Sequence, residues 1–177
     1  MGDYDAEMYV DGGDDALKWF NLSKDSDGWT LDMTQASFGA ETLFTHTIKQ
    51  AKIDVTFRGI GLPDEFYTQV TKALPADSFA CSDTSCMSVE PCDKLMGEFF
   101  EIPDLTFTLG DHEHYSIPKE LLLTSGDNDS CQFEIFNSWD RIVLGDTFLQ
   151  EQYSVYDMEF GKIGLGPLIG SYAAENT

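Results

Sequence analysis

The chain has 177 residues and a mass of 19.8 kDa, the size of one ordinary domain. At 42% hydrophobic and 13% aromatic residues it can bury about 70% of its unfolded surface, which excludes a disordered acidic tail. Ten Lys and Arg against 32 Asp and Glu give a net charge of −22, so a phosphate backbone or an anionic membrane surface is repelled and nucleic acid is excluded as a partner.

The predicted elements are mostly short strands. Asp27-Gly28 makes a turn before Trp29-Thr30-Leu31-Asp32-Met33, which alternates apolar and polar with the period of a half-buried strand. Leu43-Phe44-Thr45-His46-Thr47-Ile48 and Ala51-Lys52-Ile53-Asp54-Val55 follow. Pro63 suits a first helical position, with Asp64 and Glu65 in the first turn. Phe66, Val70 and Leu74 then recur at helical spacing, and Pro75 stops the helix. Further strands are expected at Phe99-Phe100-Glu101-Ile102, Leu105-Thr106-Phe107-Thr108-Leu109 and Tyr115-Ser116-Ile117, with a tight turn at Gly110-Asp111. A turn covers 118–122. The last third reads as strands at Ile142-Val143-Leu144, Tyr153-Ser154-Val155-Tyr156 and Lys162-Ile163-Gly164-Leu165, with a short helix over 146–150 and a turn at Phe160-Gly161. The sum is a mostly-β single domain with two or three short helices and no long linker or repeat.

No apolar run approaches the roughly 18 residues of a membrane span. The opening Met1-Gly2-Asp3-Tyr4-Asp5 lacks the positive start and apolar stretch of a signal peptide, so the chain is expected to be a processed or incomplete piece of a longer secreted precursor. The four cysteines, Cys81, Cys86, Cys92 and Cys131, lack the CxxC pairs of a zinc knuckle. Disulfides are the preferred reading, with reduced core thiols or a metal as alternatives. Asn21-Leu22-Ser23 and Asn128-Asp129-Ser130 are glycosylation sequons, which fit a secretory protein.

Several candidate sites yield to plainer readings. Asp111-His112-Glu113-His114 puts two histidines on one strand face, but an exposed turn accounts for them, and no metal is expected. Ser23, Asp25 and Asp27 before Gly28 resemble the start of a calcium loop, yet Thr34 stands where its bidentate Glu belongs. The glycines at 161, 164, 166 and 170 precede no strand-loop-helix unit and make no dinucleotide fingerprint. His46 reads as an ordinary strand residue. No cofactor is expected. Asp54 leaves an apolar strand just before a loop that closes at Gly59-Ile60-Gly61-Leu62-Pro63; such a carboxylate is a candidate acid or base, and equally a routine strand terminator.

The segment Arg141-Ile142-Val143-Leu144-Gly145-Asp146-Thr147-Phe148-Leu149 is followed by Tyr153-Ser154-Val155-Tyr156-Asp157 and then by Gly161-Lys162-Ile163-Gly164-Leu165-Gly166-Pro167. This order resembles the end of a pepsin-like aspartic peptidase. Ile102-Pro103-Asp104-Leu105-Thr106-Phe107 and Tyr115-Ser116-Ile117-Pro118 resemble the family's later hairpin, and Gly2-Asp3-Tyr4-Asp5 resembles the entry into its C-terminal lobe. The resemblance covers nearly the whole chain and implies one C-terminal lobe over residues 1–177, a double-psi-like β-barrel or sandwich. Cys92 and Cys131 fall where that lobe has a disulfide, and Cys81 is expected to pair with Cys86.

The same resemblance makes Asp54 the family's second catalytic aspartate. The first aspartate and the flap belong to the N-terminal lobe. The loop after Asp54 has drifted: Val55-Thr56-Phe57-Arg58 stands where threonine, glycine and two small hydroxyl residues are expected. Thr56 adds a side chain where glycine lets the backbone approach closely, and Arg58, if it lies beside Asp54, favours the ionised carboxylate. The resemblance therefore implies a catalytically inactive lobe serving as an interaction or structural component of a larger extracytosolic assembly, secreted or lumenal. Its inter-lobe face needs a protein partner: an N-terminal lobe chain, a second copy or a larger assembly. The alternative is the C-terminal chain of a two-chain aspartic endopeptidase in which Asp54 is one member of the dyad.

Overall fold

The computed structural model describes residues 4–24, 26–43, 49–97, 100–111 and 113–171. Strands dominate. In chain order they are β1 (Lys18–Asn21), β2 (Thr30–Phe38), β3 (Glu41–Thr42), β4 (Gln50–Ile53), β5 (Ile60–Pro63), β6 (Phe79–Cys81) and β7 (Cys86–Ser88). There follow β8 (Leu105–Leu109), β9 (Glu113–Ile117), β10 (Leu123–Ser125), β11 (Cys131–Phe133), β12 (Ile135–Trp139), β13 (Ile142–Leu144), β14 (Gln152–Asp157) and β15 (Lys162–Pro167). The α-helices are α1 (Ala6–Tyr9), α2 (Asp64–Ala73), α3 (Cys92–Met96), α4 (Lys119–Leu122) and α5 (Asp146–Leu149). Among the described residues five α-helices stand where two or three short helices were expected; α1, α3 and α4 span only four or five residues and leave no periodic signal.

The largest sheet runs β12-β5-β13-β4-β2-β8-β9, with β3 beside β2. Its middle is mixed: β13 is parallel to β4 and antiparallel to β5, while β12 is parallel to β5. A second sheet is β1-β15-β14 and a third is β10-β11-β7-β6. Alternation in β8, and in β2 on either side of a register shift between Met33 and Gln35, turns Leu31, Phe38, Leu105 and Phe107 into the main core, where Ile60, Leu62, Phe133, Leu144 and Leu165 meet them, all buried. Each large apolar side chain so enclosed contributes about 1.5–3 kcal/mol. Pro63 caps α2 rather than occupying its first turn, and the helix ends at Leu74 just before Pro75. It buries Phe66, Tyr67 and Val70, the face that the helical spacing predicts. Ala6, Val10 and Leu17 form a small satellite core under Tyr153 and Val155, so the outer side of the β1-β15-β14 sheet is also covered.

Two disulfides are present, Cys81–Cys86 across β6 and β7 and Cys92–Cys131 between α3 and β11. They fit an oxidising compartment. Among the described residues no helix is long and apolar enough to cross a membrane. The strand expected at 99–102 does not form over its described part: residues 100–104 join no sheet, the Phe100 amide donates to the Gly97 carbonyl at 3.1 Å, and the Lys119 ammonium donates to the Phe100 carbonyl at 2.7 Å. The strand expected at 43–48 lies, beyond Leu43, outside the described residues, as do His46, Asp25, His112 and Gly2-Asp3.

Candidate functional site

Ala51 and Ile53 of β4 point into the core, so the two-residue period of the strand sends Lys52 and Asp54 to the opposite side. The backbone there is pinned from both flanks, by β2 through Thr30 opposite Lys52 and by β13 through Val143 opposite Lys52. Asp54 leaves the strand at the mouth of a cavity of about 400 Å³ lined by Gly28, Trp29, Lys52, Ile53, Asp54, Val55 and Tyr156. Trp29 and Tyr156 meet edge to face at 5.0 Å between ring centres. Among the described residues Asp54 supplies the one carboxyl group in that lining.

The Asp54 loop is fastened from below. The Asp54 amide donates to the Leu144 carbonyl at 3.1 Å, and the Asp146 amide donates to the Phe57 carbonyl at 3.0 Å. Gly145 donates to the Gly59 carbonyl at 3.1 Å, and the Gly59 amide donates to Asp146 Oδ1 at 2.5 Å. This explains the Leu144-Gly145-Asp146 motif. A Cβ at Gly145 would sit 2.2 Å from the Phe57 carbonyl oxygen, and one at Gly59, whose φ is +71°, would sit 2.4 Å from that of Glu134. Both positions need glycine, one for close approach and one also for its backbone angle.

The carboxylate itself is held by its neighbours in sequence. Thr56 donates twice to Asp54 Oδ1, from its amide at 3.0 Å and from its hydroxyl at 2.7 Å. Lys52 Nζ lies 3.4 Å from Asp54 Oδ2, and both side chains are partly exposed. The Thr56 hydroxyl, then its amide, hold the Asp54 carboxyl below the ordinary aspartate range; partial burial opposes this and Lys52 adds to it. Across the cavity, burial raises the Tyr156 hydroxyl and the Asp54 charge adds to the effect.

Arg58 does not lie beside Asp54, so the condition under which it would favour the ionised carboxylate is not met. Its guanidinium turns away from Asp54 and grips Glu134, with Nη2 donating to Oε1 at 2.8 Å and Nε to Oε2 at 3.2 Å. Glu134 is buried, with 3% of its side chain exposed, while 67% of the Arg58 side chain is in solvent. Thr124 also donates to Glu134 Oε1. Enclosing a carboxylate is tolerable only with such partners, and Arg58 is long enough to reach it while a small hydroxyl residue is not. Phe57 packs edge to face on Phe136. The cation beside Asp54 is therefore Lys52. Strand alternation places it there, a signal present in the sequence and not drawn on. No local pattern announces the Arg58–Glu134 pair, whose members are 76 positions apart.

The remaining candidates have ordinary surroundings. His114 Nδ1 and Thr108 Oγ1 share a hydrogen bond of 2.9 Å, and among the described residues no three metal-ligating side chains cluster. Ser23 donates to Asp32 Oδ1 at 2.6 Å, and Asp27 faces Arg141 at 3.7 Å. Asn21 and Asn128 are exposed, Asn128 with φ +56°.

Residues 1–168 match the family model described as eukaryotic aspartyl protease. The chain belongs to that family. Pepsin A of Gallus gallus is 25% identical over 161 residues, which cover 86% of this chain and 39% of that protein. Pepsin A of Sus scrofa is 22% identical over 174 residues, 95% of this chain and 41% of that protein. Pregnancy-associated glycoprotein 4 of Ovis aries is 24% identical over 157 residues, 85% of this chain and 38% of that protein. The chain spans about two fifths of the length of these relatives. Its mostly-β architecture agrees with a pepsin-like lobe, and the strand, Leu144-Gly145-Asp146 turn, short helix and closing hairpin lie in the order that the sequence resemblance implied.

Proposed function

We propose that this chain is a pepsin-like C-terminal lobe without peptidase activity, acting as an interaction or structural component of a larger extracytosolic assembly. One observation carries the reading: in the loop after Asp54, where the resemblance implies glycine and small hydroxyl residues, the Thr56 amide and hydroxyl both donate to the carboxylate, Phe57 packs on Phe136 and Arg58 is committed to Glu134. Acid hydrolysis of a peptide bond in this family needs two close carboxyl groups whose repulsion keeps one protonated, so that one activates water and the other protonates the carbonyl. Asp54 is then the vestige of a dyad and Thr56 the altered loop residue. The partner is a protein that covers the inter-lobe face, whether an N-terminal lobe chain, a second copy or a larger assembly. The two disulfides support a secreted or lumenal location, and the exposed Asn21 and Asn128 are its glycosylation sites.

The test is peptide cleavage near pH 4 by the chain alone and after addition of a pepsin N-terminal lobe. No turnover is expected in either case. Cleavage that is blocked by a statine-type inhibitor and lost in Asp54→Asn would instead establish the chain as half of a two-chain endopeptidase.

A further inference from the structure

Among the described residues β1 is an edge of its sheet, paired with β15 on one side only. Phe20 enters the main core, so Trp19 and Asn21 share the opposite face, about 6.5–7 Å apart along the strand. The Trp19 indole leans over β15, where a Cβ at Gly164 would sit 3.3 Å from its Cε2. Tyr4 meets the ring edge to face at 5.8 Å between centres, and 40% of Trp19 is still exposed. We propose that Asn21 carries an N-linked glycan whose first sugar lies on the exposed indole of Trp19. The inference rests on the secretory location and the Asn21 modification proposed above, and adds what the first sugar binds.

The indole has the chemistry for such an occupant. A pyranose turns a face of weakly positive C–H groups to the negative face of the ring, while its hydroxyls stay in water at the rim. Covering the indole also removes apolar surface from water. Opposite Asn21 stands Lys162 on β15, and opposite Lys162 stands Asp157 on β14, both partly exposed. Directly paired residues share a face, so this pair can donate to and accept from the sugar's polar groups. The sequon's own hydroxyl is engaged in the finished fold: Ser23 is 7% exposed and donates to Asp32 Oδ1 at 2.6 Å. Transfer therefore precedes folding, while β1 still waits for residues 162–165, its partners in β15. The Asn21 amide nitrogen then bonds to C1 of a lipid-pyrophosphate-linked oligosaccharide and gives up one proton. The C1–O bond breaks and the lipid pyrophosphate leaves with its electron pair. Pairing of β1 with β15 afterwards sets sugar and ring side by side.

The experiment passes the whole chain through the secretory pathway of cultured eukaryotic cells held to high-mannose glycans, which are then trimmed to single N-acetylglucosamines. Peptide mass mapping reads whether Asn21 is occupied, and occupancy is expected. Proton NMR compares the trimmed chain with Asn128→Gln, which identifies the Asn21 sugar, and with Trp19→Ala and Trp19→Phe. Ring-current shielding should move protons of the Asn21 sugar upfield, an effect lost in Trp19→Ala and kept in part in Trp19→Phe. The trimmed chain should also melt about 1–4 °C above Asn21→Gln, and that gap should vanish when both carry Trp19→Ala. The upfield shift in the chain with Trp19 intact is read without altering the ring, and so holds even where Trp19→Ala fails to fold. An empty Asn21 overturns the proposal together with the modification read at that residue. An occupied Asn21 whose sugar protons are unshifted, or shifted equally in Trp19→Ala, overturns the contact with the ring alone.

Discussion

Trp139 ends β12 with a φ of +73° and 64% of its surface exposed, in a turn where its amide donates to Asn137 Oδ1 at 2.9 Å. A left-handed backbone costs a bulky residue about 1–2 kcal/mol, and an exposed ring recovers little of that through packing. Glycine adopts the angle freely and loses about 0.5–1 kcal/mol of unfolded-state freedom in exchange. Trp139→Gly should therefore stabilise the protein by about 0.5–1 kcal/mol, read as a melting temperature higher by about 1–4 °C for a chain of this size. Unchanged or lower melting would show that the ring makes contacts worth more than the angle costs. At the same scale, Lys52 was readable and Arg58 was not. Two residues along a strand share a face whatever the fold, so Lys52 beside Asp54 follows from Ala51 and Ile53 facing inward. The partner of a long charged side chain depends on which distant segment the fold brings past it, and Glu134 arrives with the pairing of β12 on β5.

Among the elements, β8 and β13 have the bounds that their apolar patterns announce, Leu105–Leu109 and Ile142–Leu144. Helix α2 follows its Pro63 and Pro75 brackets to within a residue. The strand β5 was not legible, because Ile60-Gly61-Leu62-Pro63 carries the residues of a loop. Its Gly61 is demanded by packing instead: a Cβ there would lie 2.9–3.0 Å from Ser138, Phe57 and Val143. The segment 100–102 reads as a strand from its Phe and Ile, yet the Phe100 amide turns back to Gly97 and a lysine satisfies the Phe100 carbonyl. The loop between β4 and β5 is tied to the residue just before β12 by Arg58–Glu134, which gives an element-scale prediction. Arg58→Ala leaves a buried carboxylate with Thr124 as a remaining side-chain donor, and should cost about 1–3 kcal/mol, below the range for a fully enclosed pair because the guanidinium is largely in solvent. Adding Glu134→Gln should return part of the loss. Urea unfolding of the two single variants and the double variant measures the coupling, and strict additivity would mean that the pair holds nothing together.

For the molecule as a whole, the two disulfides close loops of very different length, with sequence separations of 39 for Cys92–Cys131 and 5 for Cys81–Cys86. On the chain-entropy account the longer closure is worth about 4 kcal/mol and the shorter about 2 kcal/mol. Replacing Cys92 and Cys131 together by serine should therefore lower unfolding stability about twice as much as replacing Cys81 and Cys86, as compared by denaturant midpoints. Equal losses would assign both bridges to local geometry instead. The β1-β15-β14 sheet spans the described chain more widely still, for Lys18 lies opposite Leu165. On a ribosome, β1 must wait for the more than one hundred residues between it and β15 to emerge before it can pair, which leaves Trp19 and Phe20 open to chaperones, or to a neighbouring nascent copy, over that interval.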